Sequence, residues 1–295
     1  MAIYDLKASG GDWSALNTMA TDLVTMVNTG LTEDVEVRAE NGGAFSGFLG
    51  LDFTDSKFNG HTLTIHSDIA TPASPAIFTT TKPSFSDGGT ISASDTGGIV
   101  LENIIFKQSG SFGGTFCAFQ VDETAIKVGG RFIKIQNNLL YLTFTDSDDT
   151  GFNLLNVGGI ATPGTFRFIE NTVYISKTQF PVGSVGLSMP NASDAMFANN
   201  FIGFYNASSI TVTTGKNTDN VVYAYDGLDA FTVNGTAVNL GRTNPNTVAQ
   251  VIQANNETLA TMAGRDARLT ATSAALIGKA NPLYTTTRDL VGTAR

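Results

Sequence analysis

The chain has 295 residues, 42% of them apolar and only 15% charged, which supplies a large core and excludes a highly charged disordered tail. Its formal charge of −9 repels a phosphate backbone and no Lys/Arg cluster offsets it, so nucleic acid is not an expected partner. The single cysteine, Cys117, allows no disulfide framework and reads as a small buried hydrophobe rather than a nucleophile.

The first residues, Met1 to Lys7, lack a basic stretch followed by an apolar run, so secretion is not expected. No run reaches the ~18 apolar residues of a membrane span. A helix is predicted next. Asp12 stands where it can cap, and Trp13, Leu16, Ala20, Leu23 and Val27 recur at spacings of three and four as one apolar stripe. Gly30 ends it. A lone amphipathic helix ahead of a β-rich chain is expected to lie over the open end of a solenoid, where strand edges and core need cover. The expected plan is a capping segment over 1–32 and a solenoid body over 33–295.

From Asp34 onward short β-rich runs alternate with turns. Paired glycines at 42–43, 88–89, 97–98, 113–114, 129–130 and 158–159 leave no room for long helices. A repeat then emerges: Asn103-Ile104-Ile105, Asn138-Leu139-Leu140, Asn171-Thr172-Val173, Asn200-Phe201-Ile202 and Asn220-Val221-Val222. The residue two after each asparagine is Ile, Leu or Val, and the asparagines at 103, 138, 171, 200 and 220 are 35, 33, 29 and 20 residues apart. Stacked coils explain this, because each coil sets a position about 4.8 Å above its predecessor. Asn103, Asn138, Asn171, Asn200 and Asn220 are then expected to form a hydrogen-bonded ladder at a tight turn, with an aliphatic core column two residues on. Unequal spacings mean that loops of different length leave the other corners. A β-sandwich does not repeat asparagine and aliphatic in register, and leucine-rich repeats need a more regular period. The fold class expected is therefore all-β, a right-handed parallel β-helix.

Three residues after the asparagines stand Phe106, Tyr141, Tyr174, Gly203 and Tyr223. Alternation from the core column turns this position outward, which makes Phe106, Tyr141, Tyr174 and Tyr223 a candidate interface. The rings are buried by a second subunit or by the chain's own loops, or they form a sugar-stacking platform; the aliphatic neighbours favour burial. Lys134 and Arg167 both precede their asparagines by four residues and are expected to stack on one face. They grip an acidic sugar or face solvent, compensated by Glu170 with Asp122 or Glu123. Asp146, Asp148 and Asp149 form the best acidic cluster, read as a solvated turn or as part of a cation site. His61 and His66 are five apart around a strand, on opposite faces, and make a poor metal pair. No serine nucleophile elbow, phosphate loop or His-Glu-x-x-His motif occurs, so no catalytic, cofactor or metal residue is expected. Phe231 to Val238 reads as a hairpin around Asn234-Gly235, and Thr247 to Met262 as a short helix or loop.

The segment Gly264-Arg265-Asp266-Ala267-Arg268-Leu269 through Ala274-Ala275-Leu276-Ile277-Gly278 resembles the closing segment of right-handed parallel β-helix repeat proteins, with Ala274 where proline is common. Asp289-Leu290-Val291-Gly292-Thr293-Ala294-Arg295 resembles the stretch that follows it, and Gly11-Asp12-Trp13 resembles the lead-in to that family's capping helix. The family includes pectate-lyase-like enzymes, surface proteins and bacteriophage particle proteins. The resemblance, with no export signal, implies a non-enzymatic virion component: a capsid decoration or cement protein, homo-oligomeric, bound to the major capsid protein or another virion protein. A polysaccharide-binding or depolymerising spike is the alternative, with a surface glycan as its partner.

Overall fold

The computed structural model describes residues 1–238, except the connecting stretches 69–74, 81–82, 90, 93, 111–114, 122–129, 145–150, 158–163, 178–181, 189–194, 199–200, 205–206, 214–215, 219–220, 225–230 and 234–235; side chains are described through residue 171, apart from 109–118 and 141–163. Three sheets of stacked strands form a parallel β-helix. Sheet A holds β1 (Ala2–Leu6), β2 (Val35–Ala39), β5 (Thr62–Ser67), β8 (Thr96–Glu102), β11 (Gly130–Gln136), β14 (Thr165–Ile169), β17 (Ala195–Ala198) and β20 (Lys216–Thr218). Sheet B holds β3 (Ala44–Ser46), β6 (Ile77–Thr79), β9 (Ile105–Gly110), β12 (Leu139–Phe144), β15 (Thr172–Lys177), β18 (Phe201–Phe204) and β21 (Val221–Ala224). Sheet C holds β4 (Gly50–Phe53), β7 (Ser84–Asp87), β10 (Thr115–Val121), β13 (Gly151–Val157), β16 (Val182–Ser188), β19 (Ala207–Thr213), β22 (Phe231–Val233) and β23 (Thr236–Val238). The chain visits A, B and C in turn, and each strand pairs in parallel with its counterpart one rung away. The exception is β22–β23, an antiparallel pair that forms the hairpin read from Asn234-Gly235.

Alternation sorts each strand. In β11 Ile133 and Ile135 are buried while Phe132, Lys134 and Gln136 are partly exposed. In β14 Phe166 and Phe168 are buried while Thr165, Arg167 and Ile169 are not. Inside the tube the phenylalanines meet edge to face: Phe45 with Phe78 at 6.1 Å, Phe78 with Phe106 at 5.8 Å, Phe106 with Phe119 at 5.2 Å, and Phe119 with Phe168 at 6.5 Å. Such contacts add to the burial of each ring. The glycine pair 97–98 answers to rung spacing, since a Cβ on Gly98 would lie 1.9 Å from the Phe132 carbonyl oxygen.

Helix α1 (Leu16–Thr29) covers the open end. Leu16, Met19, Ala20, Leu23 and Val27 are buried and the helix packs on β4. Gly30 ends it at φ 114°, donating its N–H to the Met26 carbonyl. Asn28 then ties the helix to the first corner by accepting the Thr54 and Asp55 N–H groups. Asp12 does not cap the helix. The N-cap residue is Ala15, with no side-chain cap bond, and the Asp12 carboxylate accepts the Asp5 N–H at 2.7 Å. The stretch before the helix closes the free edge of β1 instead. The Asp12 and Trp13 N–H groups donate to the Asp5 carbonyl, and Lys7 N–H donates to the Trp13 carbonyl. An unpaired strand edge is a template for aggregation, and Asp12 helps to block it. Trp13 lies outside the helix, donating Nε1–H to Asp22 Oδ2 at 2.6 Å. The closing segment from Gly264 and residues 247–262 lie outside the described residues.

Candidate functional sites: the asparagine corner, the outer faces and a buried arginine

The corner between sheets A and B carries two polar columns. Pairing of β8 with β11 and of β9 with β12 aligns Asn103 with Asn137 and Ile104 with Asn138; pairing of β11 with β14 and of β12 with β15 aligns Asn137 with Glu170 and Asn138 with Asn171. The first column bends the chain. Asn103, Asn137 and Glu170 have φ of 57°, 53° and 55°, a left-handed conformation that asparagine tolerates best among side-chain-bearing residues. The second column grips the previous rung. Asn138 Oδ1 accepts the Ile104 N–H at 3.0 Å and its Nδ2 donates to the Leu101 carbonyl at 3.0 Å. Asn171 repeats this one rung on: its Oδ1 accepts from the Asn138 N–H and Nδ2 at 3.0 and 3.2 Å, and its Nδ2 donates to the Ile135 carbonyl at 2.9 Å.

The ladder thus includes Asn138 and Asn171 as aligned in the sequence, whereas Asn103 belongs one column earlier. Its Oδ1 accepts from Asn137 Nδ2 at 2.5 Å. Asn200 and Asn220 lie outside the described residues. Glu170 is a glutamate in a left-handed position, so Glu170→Asn is expected to stabilise the fold by ~1 kcal/mol. Chemical denaturation checks this, and a destabilised variant would show that the Glu170 carboxylate holds more than the turn.

The one-residue shift also moves Phe106. It registers with Phe78 and Leu140, not with Tyr141, and it is 0% exposed within the core. Phe106 is therefore a core residue and no part of an outward column; Lys107 holds the position beside Tyr141. Tyr141 and Tyr174 register directly with each other, and Tyr223 with Gly203; their side chains lie outside the described residues. On the same outer face Ile105 and Leu139 are 3% and 2% exposed yet stand outside the core cluster. The chain itself covers that part of sheet B.

The outer face of sheet A sets charged and polar side chains among apolar ones such as Ile3, Val100 and Ile169. The Arg38 guanidinium grips Glu36 through Nε at 2.8 Å and Nη2 at 3.2 Å, and His66 Nε2 meets the same carboxylate at 2.9 Å. The Arg38 hydrogen bond, reinforced by His66, holds the Glu36 carboxyl below its usual range. Lys134 and Arg167 register one above the other, as their equal offset from the asparagines predicts, and Lys134 Nζ lies 5.0 Å from the Phe132 ring centroid. His66 lies on this outer face, while His61 sits in the preceding turn with Nδ1 3.4 Å from Asp34.

The corner between sheets C and A holds a group that sequence reasoning missed. Arg131 is 1% exposed. Its Nη2 donates to Asp95 Oδ2 at 2.6 Å and to the Ser56 carbonyl at 2.8 Å, and its guanidinium lies over the Phe58 ring. Asp95 also accepts the Asn59 N–H at 2.8 Å, and Asp87 accepts from the Ser56 N–H and hydroxyl. Burial lowers the Arg131 pKa, opposed by Asp95 and Asp87. The missed signal is parity, since Arg131 shares the inward set of Ile133 and Ile135.

Asp146, Asp148 and Asp149 lie outside the described residues, as do Asp122 and Glu123 and the side chain of Cys117. Among the described residues no three His, Cys, Asp or Glu side chains gather as a metal-ligand set, and no helix is long and apolar enough to cross a membrane. Comparison with known protein families, with curated proteins and with solved structures finds no match.

Proposed function

We propose that the chain is a non-enzymatic structural component of a bacteriophage virion: a decoration protein that attaches, as a homo-oligomer, to the major capsid protein or another particle protein. The observation that carries this reading is the repetition of tyrosine at one register position of sheet B, with Tyr141 and Tyr174 on successive strands and Tyr223 further along the same face. Tyrosine repeated at one register position of a parallel sheet is a residue pattern suited to binding, since an aromatic side chain buries much area and loses little entropy. The buried carboxylates of Asp87 and Asp95 support a structural role, because both hold corners of the solenoid. The segment from Gly264 resembles the closing segment of a β-helix repeat family that includes bacteriophage particle proteins, and that membership supports the virion setting.

Mass spectrometry of purified particles tests the proposal directly. The chain is expected as a major virion protein, and its absence from particles overturns the reading. Changing Tyr141 and Tyr174 to lysine is expected to leave the chain folded and abolish co-sedimentation with capsids; unchanged co-sedimentation removes sheet B from the proposal. A polysaccharide-binding or depolymerising spike is the second reading, favoured by the stacking of Lys134 on Arg167. Release of oligosaccharides, lost when Asp146, Asp148 and Asp149 become alanine, would decide for it.

A further inference from the structure

Asparagine followed by glycine occurs at two described turns, and the two are held in opposite ways. Asn41 and Gly42 are the central pair of the turn from β2 to β3, which closes with the Gly43 N–H donating to the Glu40 carbonyl at 2.9 Å. Gly42 is exposed, at φ 68°, as the third position of a type II turn requires. Its N–H donates to nothing among the described residues. Asn59 and Gly60 are the central pair of the turn before β5, which closes with the His61 N–H donating to the Phe58 carbonyl. Here three donors are engaged. Asn59 N–H donates to Asp95 Oδ1 at 2.8 Å and Asn59 Nδ2 to the Leu31 carbonyl at 2.9 Å, while Gly60 N–H donates to the Thr96 carbonyl at 2.7 Å.

We propose that Asn41 is a site of spontaneous deamidation that loosens the first corner of the solenoid, and that hydrogen bonds protect Asn59 from the same reaction. The Gly42 backbone nitrogen gives up its proton to solvent base and bonds to Asn41 Cγ. The Cγ–Nδ2 bond breaks, Nδ2 takes a proton from water, and ammonia leaves a five-membered succinimide. Water then adds to one of the two ring carbonyls and opens the ring to aspartate or isoaspartate. The sum is amide plus water giving acid plus ammonia, with nothing oxidised or reduced. A Cβ on the following residue crowds the attack, and glycine has none. At Gly42 the nitrogen swings toward Cγ by rotation about Asn41 ψ without giving up a hydrogen bond of its own. At Gly60 the same rotation breaks the bond to Thr96, and the Asn59 amide must leave Leu31. Those two bonds correspond to a rate difference of roughly 30-fold.

The product matters because the turn is tight. A Cβ on Gly43 would meet the Phe45 ring at 2.7 Å and the Glu40 carbonyl oxygen at 2.8 Å, so the extra backbone carbon of isoaspartate has no room. The Gly43 carbonyl also accepts the Ile77 N–H at 2.8 Å, a tie between the first coil and the next. The Glu40 carboxylate accepts the Ala8 N–H at 3.1 Å. Isoaspartate shifts Gly43 away from Glu40 and Ile77, and either product sets a second negative charge beside Glu40.

Peptide mapping by mass spectrometry of the purified full chain, incubated at mildly alkaline pH, reads each turn separately. Conversion at Asn41 is expected to outrun that at Asn59 by at least ~10-fold in the folded chain. The two rates should converge in denaturant, where neither turn exists. Asn234-Gly235 lies outside the described residues and yields its own peptide, so it does not enter the comparison. The aged fraction modified at Asn41 alone, isoaspartate included, is expected to unfold at a lower denaturant concentration than Asn41→Asp, which carries the charge on an unaltered backbone. Equal rates at Asn41 and Asn59 in the folded chain, or an Asn41 that reacts only in denaturant, overturns the site. An aged fraction as stable as Asn41→Asp overturns its effect on the corner.

Discussion

Replacing Arg131 with alanine is expected to destabilise the chain by ~3–5 kcal/mol, because removing one partner of a buried ion pair leaves the other charge in the interior. Arg131 is 1% exposed and joins successive corners of the solenoid: its Nη2 reaches Ser56 in one and Asp95 in the next, while the residue itself opens β11 one rung further. Without the guanidinium, Asp95 keeps the Phe58 and Asn59 N–H groups but loses its cation, and Asp87 loses a neighbouring positive charge. The Phe58 ring loses the planar group 4.5 Å above it. The pair is not ideal. Arg131 Nε and Nη1 have no hydrogen-bond partner, and buried donors left unpaired oppose stability. Arg131→Met combined with Asp95→Asn should therefore recover at least ~2 kcal/mol of the loss, because a neutral, well-filled site can match a buried pair. Chemical denaturation of parent, single and double variants measures both effects. A single variant within about 1 kcal/mol of the parent would show that the corners hold without the clamp.

The solenoid was legible because its determinants repeat. Asparagine followed by aliphatic residues recurs once per coil, and the turn glycines exclude long helices. The register was legible only to one residue. Two adjacent asparagines, Asn137 and Asn138, each fit the pattern set by Asn103, and the glutamate at 170 hides which column carries the left-handed turn. Choosing Asn138 turned Phe106 from core to surface. The helix stripe could be read locally, but the role of Asp12 could not, since its partner Asp5 lies on a strand that exists only by pairing with β2. The Arg131 clamp has its partner 36 residues earlier, beyond any local pattern. The same long-range register is needed before Glu36 and Lys134 can be seen to share one column of sheet A.

Phe106→Ala is expected to cost ~3–5 kcal/mol of stability, the usual price of emptying a buried phenylalanine site, and to leave self-association and particle attachment unchanged wherever the variant is folded. The ring is 0% exposed and lies edge-on between Phe78 at 5.8 Å and Phe119 at 5.2 Å. Truncation therefore breaks an aromatic chain that spans the inside of the tube from sheet B to sheet C. Each rung is held by its neighbours and the interior is close-packed, so little collapse can fill the space. Phe106→Lys places an unpaired charge among these rings and should prevent folding altogether. Lysine at Tyr141, in the neighbouring column, is expected to leave the fold intact. Denaturation midpoints and light scattering, measured on the same preparations, separate the two positions. If Phe106→Ala lost less than about 1 kcal/mol, or if it stayed fully folded and failed to attach, the ring would belong to a contact surface and the register of sheet B would be wrong by one residue. The burial of Ile105 and Leu139 on the opposite side of the same strands sharpens the comparison. These side chains are covered by the chain itself, so replacing either with alanine also costs stability, whereas a contact formed by a partner costs association alone.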